Sequence, residues 1–452
     1  MPVLPEPHRI RGRRAVEIAA DVERAVEAGR LPPGTALPPL RELAVDLGVN
    51  ANTVAAAYRT LRDRGVIETA GRRGSRVLPR PSGTSWGQVP LEVPAGVHDL
   101  SDGNPDPALL PSLTEAFAHA AAEHTRRPVR YGGSTGDERL LALARDAFTA
   151  DGVPAGPLAV TSGSLDAIER LLFAHLRPGD GVACEDPGWA SLFDLLPALG
   201  LRPIPMGIDD EGPRPEEAAR ALAAGARAFV LTSRAQNPTG AALSADRAGA
   251  LSAVLARHPE VLLIDDDHGH GLVDLPYHPV CVNGGRPTTR HWAVVRSVAK
   301  AYGPDLRLAL LTGDPTSLDR VQRRQRLGAG WVSHALQRAV GHLWATGAVP
   351  VDRTAASYRD RRDALLRALS EHGVRAHGRS GVHVWIPVGD EAAAVVALLG
   401  RGWAVAPGAR FRLRSAPGLR LTVSTLRREH IQPLADSLAE VLHAQPDLTR
   451  RA

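Results

Sequence analysis

Between Ala15 and Ala28 the apolar positions Val16, Ala19, Val22 and Val26 recur at the helical period, and Gly29 is placed to end a first helix in a left-handed conformation. A Pro32-Pro33-Gly34 turn leads to a short second stripe, Leu40, Leu43, Ala44 and Leu47, closed by Gly48. Asn50 is positioned to cap a third helix from Asn52 to about Arg64, with Val54, Ala57 and Leu61 inward and Asn52, Thr53, Arg59 and Arg62 outward. The pattern then changes to β: Val66 to Thr69 and Ser75 to Leu78 predict a two-stranded wing whose tip, Gly71-Arg72-Arg73-Gly74, carries arginines. Residues 79–97 show no apolar period and are rich in Pro, Gly and Ser, which is linker composition. From residue 98 onward short apolar strands alternate with helical stretches, as expected of an open, mainly parallel α/β sheet.

A length of 452 residues exceeds what one hydrophobic core supports, so several domains are required. Hydrophobic content of 44% and charged content of 23% exclude a disordered, collagenous or membrane-embedded class. Charge divides the chain where the linker does. Residues 1–80 carry 14 Arg against 9 Asp plus Glu, while the remaining 40 basic and 40 acidic residues cancel, so the net +5 lies wholly in the N-terminal module. Such a segment calls for an anionic partner, nucleic acid or a membrane surface. Cys184 and Cys281 are far apart and without metal-ligand spacing, which points to reducing cytosol. The start of the chain has no secretory h-region, and no apolar run is long enough to span a bilayer.

Of the 54 basic residues, 53 are arginine and one is lysine, Lys300. A guanidinium stays protonated and cannot form a Schiff base, so the surviving lysine is a candidate for a position that needs an amine. Ligands of open α/β sheets bind beyond the carboxyl ends of the strands. There Ser162-Gly163-Ser164 opens a helix after Ala159 to Thr161 and offers amides and a hydroxyl to a phosphate. Glu185-Asp186-Pro187-Gly188-Trp189 presents an indole, and Gln236-Asn237-Pro238-Thr239-Gly240 an amide in a rigid turn. Val261 to Ile264 runs into Asp265-Asp266-Asp267-His268, carboxylates that call for a positively charged ligand group; no further metal ligand set accompanies His268 and His270. Ser297, Lys300 and Arg307 follow the strand Ala293 to Arg296. Near the C-terminus Leu419, Leu421 and Val423 face the core of a strand and turn Arg420 to its other side. A phosphate cradle, an aromatic face, an amide, a carboxylate and an amine are together what pyridoxal 5'-phosphate requires.

Two resemblances cover the chain. The helix, helix-turn-helix and wing, with Gly29-Arg30-Leu31, Pro33-Gly34, Leu37-Pro38, Arg41-Glu42-Leu43-Ala44, Gly48-Val49-Asn50 and Asn52-Thr53-Val54, resemble the GntR family of winged-helix regulators. That resemblance implies double-stranded operator DNA as partner, contacted by Arg41, the start of the third helix at Asn52 and Thr53, its outward Arg59 and Arg62, and the wing residues Arg72 and Arg73. Ala51 and Ala55 stand where the family often has arginine. The remainder resembles fold-type I aminotransferases through Tyr131-Gly132 with Gly136, Asn237-Pro238-Thr239-Gly240 and Ser297 to Arg307.

The second resemblance implies that Lys300 is the Schiff-base lysine and that Asp266 pairs with the pyridine nitrogen, with Asp265 as rival because the register of the aspartate run is open by one. Trp189 would stack on the ring, and Asn237 and His268 would approach its oxygen; the family usually has tyrosine at the position of His268. Gly163, Ser164, Ser297 and Arg307 would hold the phosphate, helped by Tyr131 of a second subunit, and Arg420 would grip a ligand carboxylate. A GntR-like module at 10–78, a linker at 79–97 and an aminotransferase-like domain at 98–445, with its smaller α+β part from about 350, is the arrangement of the MocR subgroup of transcriptional regulators. That arrangement implies a cytoplasmic homodimer, without a metal, that senses a small amino compound or the cofactor itself. An active aminotransferase with a vestigial DNA-binding module, and a cofactor-level sensor controlling vitamin B6 synthesis or salvage, are the competing expectations.

Overall fold

The computed structural model describes residues 8–27, 30–32, 34–63, 66–69, 74–77 and 93–444. The N-terminal module contains α1 (Ala15–Glu27), β1 (Ala36–Leu37), α2 (Leu40–Leu47), α3 (Ala51–Asp63), β2 (Ile67–Thr69) and β3 (Ser75–Val77). Its core joins Ile18, Ala19, Val22 and Ala25 of α1 to Val54, Ala57, Tyr58 and Leu61 of α3. The face of α1 therefore differs from the one its spacing suggested. Val16 is 76% exposed, because Ile18 and Ala25 lie on the stripe with Ala19 and Val22 and turn Val16 outward. The short stripe of α2 is also narrower than expected: Leu43 and Ala44 are buried while Leu40 is exposed.

Gly48 closes α2 at φ +64, a left-handed cap that lets its amide satisfy carbonyls of the last turn. The Asn50 carboxamide accepts from the Asn52 amide at 2.8 Å and starts α3. The wing has three strands rather than two, in the order β1-β3-β2, since Ala36 and Leu37 pair with Arg76 and Ser75. Two residues were too short a segment to stand out by alternation. Gly29, Leu78 and the wing tip with Arg72 and Arg73 lie outside the described residues.

The C-terminal part begins with β4 (His98–Asp99) and then builds an eight-stranded sheet in the order β5-β14-β13-β10-β9-β6-β7-β8. Its members are β5 (Leu158–Thr161), β6 (Gly181–Asp186), β7 (Arg202–Asp209), β8 (Gly212–Pro213), β9 (Ala226–Leu231), β10 (Leu262–Asp267), β13 (His291–Ser297) and β14 (Ala309–Gly313), while β11 (Val282–Asn283) and β12 (Arg286–Pro287) form a separate hairpin. The central strands are parallel; β14 runs against both its neighbours, and β8 against β7. Apolar clusters cover both faces, one including Phe229, Leu263 and Val294 and the other Val230, Ile264 and Val295, as a sheet buried on two sides requires.

A smaller α+β unit follows. β15 (His383–Pro387), β18 (Gly418–Thr422) and β17 (Ala406–Pro407) form its sheet, and β16 (Trp403–Ala404) pairs in parallel with β4. Helices Val351–Glu371 and Arg428–His443 bury Leu365, Leu369, Leu434 and Leu438 against Val384, Leu419 and Leu421. Leu100 joins the same core, so the segment just after β4 is anchored in the small unit.

Candidate functional site

Two regions collect the expected functional residues. On the N-terminal module Arg41 of α2 and Asn52, Arg59 and Arg62 of α3 are exposed, and Thr53 is half-exposed. The inward residues of α3 fix its rotation, and Tyr58 ties it to the preceding turn through a 2.8 Å bond from its hydroxyl to the Pro38 carbonyl. A short basic helix held this way presents its side chains as a block, which is what entry into a major groove requires.

The second region is a cavity of about 520 Å³ where the large sheet meets the small unit. Strand ends deliver most of its wall. Gly163 and Ser164 come from the turn after β5, Trp189 from the turn after β6, and Asn237 from the turn after β9. Asp266 and His268 come from the end of β10, and Ser297, Lys300 and Arg307 from the segment after β13, while Arg420 enters from β18. Tyr131 is absent from this wall; it is 94% exposed, with its ring edge-on to Trp331 at 5.6 Å. Sequence reading missed other parts of the lining: the segment Ser101–Asn104, His383, Arg410 and Phe411. His383 sits in an apolar strand where nothing in the pattern distinguishes it from a core residue.

The aspartate run lies inside β10 rather than after it, because its pairing with β13 continues from Leu262↔His291 to Asp267↔Arg296. Strand alternation then divides the three carboxylates. Asp266 faces the cavity. Asp265 and Asp267 point to the other face of the sheet. Asp265 accepts from the Tyr277 hydroxyl at 2.6 Å and from Ser233 Oγ, and burial pushes its carboxyl up to about 7. Asp267 accepts from Arg234 Nε at 3.0 Å and Nη2 at 2.7 Å, and from Arg296 Nε at 2.9 Å. Burial opposes its charge, but the two guanidiniums prevail and hold its carboxyl well below the usual range. Arg296 also reaches Asp151 at 2.6 Å, completing a buried ionic cluster behind the cavity wall.

Inside the cavity Lys300 Nζ donates to the Gly103 carbonyl. Burial, then the field of Arg420, lowers its ammonium to about 8, with Asp102 opposing. Arg420 Nη1 donates to Asn237 Oδ1 at 3.3 Å, and Nη2 donates to the carbonyls of Ser101 and, at 2.9 Å, Asp102. Its guanidinium lies 4.6 Å over the Phe411 ring. His268 Nε2 sits 2.7 Å from the Ala235 carbonyl and Nδ1 sits 3.6 Å from Asp266 Oδ2. Arg307 Nη2 donates to the Ser162 carbonyl at 3.3 Å. Gly163, at φ +96, leaves room for it, since a Cβ there would approach Arg307 Nη2 to 2.8 Å.

Three buried polar atoms of the wall have no partner in the protein: Asp266 Oδ1, Ser164 Oγ and Arg420 Nε. A buried polar atom is costly unless a bond satisfies it, so each marks a place where a ligand supplies one. A protonated ring nitrogen would complete the carboxylate and a phosphate the hydroxyl. With the amine of Lys300 in the same cavity, these residues fit pyridoxal phosphate. Among the described residues no group of three or more His, Cys, Asp or Glu could hold a metal ion, and no helix is long and apolar enough to cross a membrane.

Residues 95–438 match the family model of aminotransferase class I and II, and residues 14–77 match that of bacterial regulatory proteins, gntR family. The chain is 42% identical over 443 residues to the vitamin B6 salvage pathway transcriptional repressor PtsJ of Salmonella typhimurium, covering 96% of this chain and 100% of that one. It is 26% identical to the transcriptional regulator TauR of Rhodobacter capsulatus, over 80% of each chain. Among solved structures, Thermus thermophilus aspartate aminotransferase with maleate superimposes with a TM-score of 0.66 at 25% identity, covering 76% of this chain and 92% of that one.

Proposed function

Because the chain belongs to the MocR-type transcriptional regulators, in which a GntR helix-turn-helix domain precedes an aminotransferase class I and II domain, we propose that it is a DNA-binding regulator whose ligand cavity holds pyridoxal phosphate. The observation that carries this reading is the pair of unpartnered buried atoms, Asp266 Oδ1 and Ser164 Oγ, in the cavity that contains the chain's one lysine. Asp266 would keep the ring nitrogen protonated, with His268 beside it. Ser164, the amides at the start of the helix Ser164–His175, Ser297 and Arg307 would hold the phosphate. Trp189 would cover one face of the ring, and Asn237 would face its oxygen.

When bound, the cofactor supplies an aldehyde and an electron-withdrawing ring. Lys300 provides the amine that meets the aldehyde, and its lowered ammonium pKa of about 8 makes the neutral form accessible near neutrality. Arg420 would orient a ligand carboxylate by its planar fork. The exposed Tyr131 would reach the cavity of a second copy, which makes the working form a homodimer, acting on double-stranded DNA in the cytoplasm through Arg41, Asn52, Thr53, Arg59 and Arg62. Arg72 and Arg73 would add phosphate contacts at the wing. The name of the Salmonella relative adds vitamin B6 salvage as the regulated process and the cofactor itself as a candidate signal.

Adding pyridoxal phosphate to the purified protein should produce a visible absorption band that is absent from Lys300→Ala, and should change a salt-dependent shift of promoter DNA. A band unchanged in Lys300→Ala, or DNA binding absent under every condition, refutes the reading. A working aminotransferase is the second reading, favoured by Lys300, Asp266 and Arg420 sharing one cavity. Multiple turnover of an amino donor with a keto acid would support it, and a single stoichiometric conversion would count against it.

A further inference from the structure

The cavity is satisfied on one side and unsatisfied on the other. Asp266 Oδ1 and Ser164 Oγ lack partners, whereas on the carboxylate side only Arg420 Nε does, and the other donors are engaged, Nη1 by Asn237 Oδ1 and the rest by the chain's own backbone. Arg420, only 5% exposed, spends Nη2 on the carbonyls of Ser101 and Asp102. Thr422 Oγ1 donates to the Asp102 carbonyl as well, and Lys300 Nζ to that of Gly103. We propose that the backbone of Ser101–Gly103 is an internal plug in the carboxylate subsite, and that an α-amino carboxylate acts on this protein by expelling it. The proposal rests on the reading of the cavity as a cofactor-and-ligand site.

Three further observations support it. A carbonyl is a neutral acceptor, whereas a carboxylate brings a full negative charge and two oxygens that a guanidinium can bind side by side, so a ligand can replace the plug while the freed carbonyls return to water. Gly103 is not required by the seated plug. A Cβ there would meet Arg420 Nη1 at 3.6 Å, His383 Cε1 at 3.8 Å and Lys300 Nζ at 3.9 Å, all ordinary contacts, so the loop lies directly against the groups a ligand carboxylate would approach and is held there by its carbonyls. The plug is also tethered at both ends. Leu100 exchanges backbone bonds of 2.8 Å with Ala404 and Thr422, and Asp106 bonds the Tyr358 hydroxyl at 2.9 Å and Arg361 at 2.9 Å. Expulsion is thus a local excursion of a short loop.

Hydrogen exchange of the amides of residues 101–104 in the full-length protein tests the proposal, with pyridoxal phosphate alone, with ethylamine added and with L-alanine added. Both amines meet the cofactor, but only alanine carries a carboxylate for Arg420. Exchange should accelerate with alanine and not with ethylamine. Thr422→Val removes one anchor and should raise exchange in the ligand-free protein, and affinity for alanine, about fivefold, the worth of one net hydrogen bond. Gly103→Ala should leave ligand-free exchange and alanine affinity nearly unchanged, because its Cβ makes only ordinary contacts in the seated plug and leaves with it. Alanine that shifts the visible band without altering exchange, an unchanged Thr422→Val, or alanine inert on every variant overturns the plug. Absence of any Lys300-dependent band overturns the underlying site reading instead.

Discussion

Asp266 and Asp267 are neighbours in sequence, and replacing each by asparagine should have opposite consequences. Asp267 is 0% exposed and accepts three charge-assisted bonds from Arg234 and Arg296, whose side chains are 8% and 1% exposed. Asp267→Asn leaves two buried guanidiniums facing a neutral amide. Removing one partner of a buried ion pair costs about 3–5 kcal/mol. Two cations lose their partner here, but Arg296 keeps Asp151 at 2.6 Å and Arg234 keeps the Leu275 carbonyl at 3.0 Å, so a value near 4 kcal/mol is expected.

For a domain of about 150–250 residues each kcal/mol is worth roughly 2–4 °C, which predicts a fall of about 8–16 °C in the large-domain transition. Asp266→Asn loses no protein partner at Oδ1 and should cost under about 1 kcal/mol, while weakening capture of pyridoxal phosphate. Thermal melts of the ligand-free proteins, followed through the large-domain transition, measure both. An Asp267→Asn transition within 3 °C or so of the parent, or an Asp266→Asn protein melting lower than Asp267→Asn, would refute the division of labour along β10.

Three other outcomes follow from the same geometry. Burial pushes the carboxyls of Glu185 and Asp265 up to about 7 each; these two groups therefore take up protons in the folded protein before they do in the unfolded chain, and their contribution to stability should grow as pH falls from 8 towards 5, against the opposing contribution of buried histidines such as His175 and His270, whose pKa is lowered by burial. Denaturant midpoints at those two pH values should show Glu185→Gln with Asp265→Asn losing more stability on acidification than the parent does. Growth of the visible band after adding pyridoxal phosphate should gain rate through a midpoint near 8, and Arg420→Gln, which removes the second cause of the lowered Lys300 pKa, should move that midpoint upward. Arg59→Ala should reduce the slope of log affinity against log salt by about one, whereas a base-reading role would relax sequence preference with little change of slope.

What could be read in the sequence was whatever local chemistry or a long period imposed. The lysine stands out because 53 arginines replace it elsewhere, and Gly48 is marked as a cap because a left-handed residue ending α2 favours glycine. The large sheet was legible from its apolar runs, and most of the cavity wall from the polar residues that follow them. Other features depended on information the local pattern lacks. Choosing Asp266 over Asp265 for the cavity requires the register of β10 against β13. The buried face of α1 was misjudged because Val16 fits the same loose spacing as Ile18 and Ala25, and packing on α3 selects between them. The loop at Ser101–Gly103 contributes backbone carbonyls rather than side chains, and composition cannot register a carbonyl.

The placement of Lys300 makes the whole chain chemically monovalent towards reagents that seek ε-amines. Apart from an N-terminal α-amine, the single primary amine of the sequence lies in the cavity beside Gly103 and Arg420. Reductive methylation with isotopically labelled formaldehyde would therefore place one lysine-borne reporter in the protein, whose resonance reads cavity occupancy with no background from other lysines. The same arithmetic applies in a cell: acetylation, glycation or any other lysine-directed modification has one address in this sequence, and it would silence the cavity rather than decorate the exterior.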